Sequence, residues 1–84
     1  MPNEKALKKF EKMLDAWWSG DKVKGFYLPL ASITECRRVY QEMMHEKEPY
    51  FINADVKRVL DHCKIKTKSV GIGWKVEKDG SEKS

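Results

Sequence analysis

The chain has 84 residues, with 17 Lys and Arg against 13 Asp and Glu, a net charge of +4 and a pI near 9.1. That length holds one small domain, and 40% apolar content in periodic segments excludes full disorder. No apolar run approaches the roughly 18 residues that span a bilayer, and no charged-apolar-small leader opens the sequence, so a soluble, cytoplasmic protein without a membrane partner is expected.

Asn3 is placed to cap a helix running to about Trp18. Ala6, Leu7, Phe10, Met13, Leu14, Trp17 and Trp18 recur at the three-four spacing of an amphipathic helix, and Ser19-Gly20 supplies the stop. At 100° per residue the apolar set divides in two. Ala6, Phe10, Met13 and Trp17 lie nearly in line, while Leu7, Leu14 and Trp18 lie further round. The second stripe serves either the core or a partner, and Leu7, Leu14 and Trp18 are the candidate residues of a homodimer contact.

Phe26-Tyr27-Leu28 ahead of Pro29 reads as a short extended segment, because the residue before a proline is driven towards β or polyproline geometry. Ser32-Ile33-Thr34-Glu35 has the form of a capping box. The helix it opens carries Ile33, Cys36, Val39, Tyr40, Met43 and Met44 on one face, and Glu46 to Pro49 ends it. Asn53 caps a third helix, with Asp55 in its first turn and Val56, Val59, Leu60 and Cys63 as its buried stripe. Lys64–Lys68 and Val70–Val76 then read as two strands joined near Lys68–Val70, with Val70, Ile72, Trp74 and Val76 on one face. The domain is expected over residues 1–77. Residues 78–84 hold no apolar anchor and are expected to be a disordered tail.

The fold class is therefore α+β: three helices, a short strand and a C-terminal β-hairpin, in the order α-β-α-α-β-β. That order resembles a winged helix-turn-helix domain. Asn53–Cys63 is similar to a recognition helix and Val70-Gly-Ile-Gly-Trp-Lys-Val76 to the returning strand of a wing. Double-stranded DNA is the partner this resemblance implies.

Charge placement points the same way. Between Lys57 and Lys75, six basic residues (Lys57, Arg58, Lys64, Lys66, Lys68 and Lys75) face one acid, Asp61. A basic helix leading into a basic hairpin suits phosphate binding, since each neutralised phosphate releases condensed counterion. Arg58 is the candidate for a guanine edge and Lys57 for a phosphate. The alternative is a solvated face, with lysines protecting an edge strand. Gly71 and Gly73 leave one strand face bare, either for a bend of the hairpin or for close approach by another backbone.

Chemistry is scarce elsewhere. Cys36 and Cys63 fall on apolar helix phases and are expected to be buried and reduced. No Cys-x-x-Cys or His-x-x-x-His spacing suggests a metal, and His45 and His62 are not grouped with the cysteines for catalysis. No cofactor is expected, and no enzyme. The reading is a small winged-helix-like DNA-binding protein, a regulator or accessory factor of a mobile element. Its rival is a protein-protein interaction module, an inhibitor or adaptor docking through Trp17, Trp18, Tyr27, Tyr50 and Phe51.

Overall fold

The structure is a computed structural model that describes residues 4–77. The expected tail over 78–84 and the Asn3 cap lie outside the described residues. Three helices, α1 (Glu4–Trp18), α2 (Leu30–Met44) and α3 (Ala54–His62), pack with a small antiparallel sheet. Its strands are β1 (Tyr50–Phe51), β2 (Thr67–Val70) and β3 (Gly73–Val76), in spatial order β1-β3-β2. The α+β class, the three helices and the C-terminal hairpin follow the sequence expectation.

Phe10 of α1, Cys36, Val39 and Met43 of α2, and Val56, Val59 and Leu60 of α3 share one core with Phe51, Ile65 and Val76. Phe10 meets Tyr40 edge-on at 5.7 Å, and Phe51 stacks with the half-buried Trp74 at the same centroid distance. Both cysteines are buried and free. Burial pushes the Cys36 thiol up to about 12 and Cys63 up to about 11.

Several local readings need correction. The Phe26 segment makes one isolated bridge, to Val23, which keeps a short β element between α1 and α2. The strand that enters the sheet is Tyr50–Phe51, between α2 and α3. It pairs with β3 through Tyr50↔Lys75 and Phe51↔Trp74, and two residues leave no room for a visible alternation. Helix α2 begins at Leu30 behind Pro29, whose fixed φ suits a helix entrance, so Ser32 lies inside the helix rather than at its cap. The Ser32 hydroxyl instead donates to Asp55 Oδ2 at 2.9 Å and accepts from Asn53 Nδ2 at 3.0 Å. Asn53 does cap α3, accepting the Asp55 N–H at 2.8 Å. One cap residue thus ties the starts of two helices together.

The hairpin turn also moves. Val70 pairs with Gly73, so the two turn residues are Gly71 and Ile72 rather than Lys68–Val70. A positive φ of 59° at Gly71, the first of the two, is the pattern of a II′ turn, whose twist suits a hairpin. Lys64 lies outside the strand as well, at φ 65° where α3 ends. Its N–H reaches Asp61 O at 3.1 Å and the Ile65 N–H reaches Leu60 O at 2.9 Å, the paired bonds of a Schellman motif.

Candidate nucleic-acid interface

The six basic residues singled out in the sequence fall into three settings. Lys57 and Arg58 stand on α3 with acids at helical spacing. Lys57 Nζ lies 2.6 Å from both Asp61 carboxylate oxygens, and Arg58 Nη1 lies 3.1 Å from Asp55 Oδ1. Arg58 also donates to Gly25 O at 3.3 Å and covers the Phe26 ring at 5.2 Å, which itself packs on His62 at 5.1 Å. The outward charge of α3 is thereby balanced within the helix. Arg58 is tethered to the α1–α2 connection.

Lys64 and Lys66 form the second setting. Lys64 follows the last turn of α3, where its left-handed backbone turns the chain towards the sheet. It lines a surface hollow with Lys57, Asp61, Ile65, Lys66, Thr67 and Glu77. It also lines a second hollow with Lys5, Ala6, Lys9 and Cys63. Lysines of α1, α3 and the hairpin base therefore meet around one residue. Lys5 and Lys9 were not among the sequence candidates, although their i, i+4 spacing on α1 puts them on one face.

Lys68 and Lys75 make the third setting, directly opposite each other on β2 and β3. Lys75 Nζ lies 3.4 Å from Glu48 Oε1, an exposed pair that contributes little. Among the described residues, Lys64, Lys66 and Lys68 have no ion-pair partner. Alternating burial persists from Lys64 to Lys68, with Ile65 buried between exposed lysines.

The candidate dimer contact divides. Leu7 is buried in the core and is not available to a partner. Its stripe is wide enough that the helix turns Leu7 inward beside Ala6 and Phe10. Leu14 and Trp18 instead line a groove of about 240 Å³ between α1 and α2, with Ile33, Arg37 and Tyr40. Trp18 is 73% exposed and lies under the Arg37 guanidinium at 4.2 Å.

Gly73 has a structural reason. A Cβ there would clash with Phe51 O and sit 2.6 Å from Ile52 Cγ2, so the bare face admits β1 of the same chain. Among the described residues no group of three or more His, Cys, Asp or Glu could hold a metal. No described helix is long and apolar enough to cross a membrane. No family model, curated protein or solved structure matches the chain.

Proposed function

We propose that the chain is a small winged-helix-like DNA-binding protein that grips the duplex by its phosphates. The observation that carries this reading is the meeting of Lys5, Lys9, Lys64 and Lys66, with the Asp61-paired Lys57 beside them, around two hollows that share Lys64. Lysines from three elements, spread along one edge, match a charged backbone better than a small anion. Arg58 has a different part from the one its sequence position suggests. Its side chain is 55% exposed, and in this reading its contacts to Asp55, Gly25 O and Phe26 assign it to fixing the pose of α3 rather than to reading a base.

The test is a salt titration of binding to unrelated duplexes. Log K should fall with log salt at about −0.9 per phosphate contact, and replacing Lys64 and Lys66 by Ala should flatten the slope by roughly two such units. Both effects should be equal for all sequences. Arg58→Ala should leave relative affinities among duplexes unchanged. A preference for one base pair that vanishes in Arg58→Ala would assign base reading to α3 instead. Salt-insensitive association with a protein partner would favour the docking module, for which the exposed Trp18 groove is the supporting observation.

A further inference from the structure

The outward face of the sheet presents a row that crosses all three strands. Tyr50 on β1 pairs with Lys75 on β3, and Lys75 pairs with Lys68 on β2. Paired residues share a face, and neighbouring strands lie about 4.8 Å apart. One residue row further on, Val70 pairs with Gly73, and Ile52 packs against the position where a Gly73 side chain would be. The Tyr50 hydroxyl comes within 3.0 Å of that same position. The tyrosine side chain therefore runs along β3 from Lys75 to Gly73, lying over bare backbone. It remains 43% exposed, and Ile52 and Val70 on the same face are exposed as well.

We infer that this face binds single-stranded nucleic acid, stacking an unpaired base on Tyr50 and holding the flanking phosphates with Lys68 and Lys75. An aromatic ring laid on a sheet beside cations is the arrangement that unstacked bases use, because every base offers a π-face whatever its identity. Charge selects the occupant. Lys68 has no ion-pair partner among the described residues, and Lys75 has only the long contact to Glu48, so an anionic chain gains two cations at the edge of an apolar platform. The glycine is the second requirement. Any side chain at position 73 would clash with the Phe51 carbonyl oxygen and Ile52 Cγ2 and crowd the Tyr50 hydroxyl. Duplex DNA cannot use this platform, since its bases are stacked on one another. The inference thus extends the nucleic-acid reading to a different face and a different strand state.

The experiment measures binding of the full chain by fluorescence anisotropy to four labelled probes. These are an oligothymidylate of about a dozen nucleotides, an abasic oligonucleotide of equal length, an equal-length duplex and an oligoglutamate peptide. Oligothymidylate should bind about 5- to 100-fold more tightly than the abasic strand, which carries the same phosphates without bases. Tyr50→Ala should reduce oligothymidylate binding to the abasic level, Tyr50→Trp should keep it, and thermal melts should show both variants folded. Lys68→Ala should weaken the normal and abasic strands alike. Equal binding of those two strands overturns the inference, as does a folded Tyr50→Ala with unchanged affinity. Duplex binding without oligothymidylate binding overturns it while leaving the duplex grip standing; the reverse result overturns the duplex grip alone. Binding of oligoglutamate in preference to all nucleic acids overturns both in favour of an acidic protein partner.

Discussion

The exposed face of α3 and the outward face of the sheet carry two cations each, Lys57 and Arg58 against Lys68 and Lys75, yet they differ in what those charges are free to do. On α3 each cation has an acid within one helical turn: Lys57 with Asp61, Arg58 with Asp55. On the hairpin Lys66 and Lys68 have no ion-pair partner among the described residues, and Lys75 has only a long contact to Glu48. Helical spacing brings residues three and four apart together, so a helix carrying both signs neutralises itself. A strand sends alternate side chains to one face with no such local partner, and its charges face outward. Density of positive charge along a sequence is therefore a poor measure of the charge a partner can meet.

The largest effect concerns what holds α3 in place. Cys63 at its end and Cys36 on α2 are buried as neutral thiols, raised from 9.0 to about 11 and about 12. Unfolding exposes them at their ordinary value, so the unfolded chain releases protons first as pH rises. Their contribution is complete below pH 9.0 and is lost as pH climbs through the folded values. Each thiol should remove on the order of 1.4 kcal/mol per pH unit within its window. Burial also raises Tyr40, with Glu11 and Asp15 adding to the shift in the same direction. Denaturant melts across this range should show a steep alkaline decline, and Cys63→Ala should make the decline shallower. A flat profile would mean that the thiols are open to solvent.

A smaller effect tests the pairing on α3 directly. Asp61→Asn removes the acid that occupies Lys57 while leaving the backbone alone. The exposed i, i+4 pair is worth a few tenths of a kcal/mol, and Asp61 lies near the helix C-terminus, where a negative charge opposes the dipole. Stability should therefore change by less than about 0.5 kcal/mol. The released lysine should add about one phosphate contact, steepening the salt dependence of duplex binding by roughly 0.9. An unchanged slope would show that Lys57 lies off the path of the phosphates, and that the grip runs through α1 and the hairpin base alone.

Much of this architecture is legible in the chain because several signals agree. At α3, Asn53, the first-turn Asp55 and the stripe Val56, Val59, Leu60 and Cys63 all name the same helix, and the structure places it there. Ser32 shows how a local pattern is overridden. Its sequence supports a cap, but Pro29 starts α2 earlier, and the hydroxyl is drawn to Asn53 and Asp55, more than twenty residues away. No pattern within one element reports such a contact. The same limit hid β1, whose two residues are a strand through their pairing with β3, beside which Val76 N–H reaches Pro49 O at 2.9 Å and Trp74 stacks on Phe51. Within the candidate site, the hairpin lysines follow from alternation. The participation of Lys5 and Lys9 follows from α1 packing beside the end of α3, and the neutrality of the α3 face needed the i, i+3 and i, i+4 pairs to be weighed before the basic residues were counted.

A last pair of substitutions separates a residue's backbone role from its charge. Lys64 sits at φ 65° and Glu46 at φ 58°, each just past the end of a helix that closes with Schellman bonds. At the end of α1 the same position is Gly20, at φ 86°. A side chain in this left-handed region crowds the neighbouring carbonyl, whereas glycine adopts it freely at the cost of more entropy in the unfolded chain. The balance should favour Glu46→Gly and Lys64→Gly by about 0.5–1 kcal/mol each, read in denaturant melts. On DNA the two substitutions should part. Lys64→Gly removes the cation shared by both hollows and should flatten the salt slope by about 0.9, so the more stable protein becomes the weaker binder. Glu46→Gly lies outside both hollows and should not flatten that slope. If both variants gain stability and both keep the slope, Lys64 serves only to end its helix, and the path of phosphates proposed here does not pass over it.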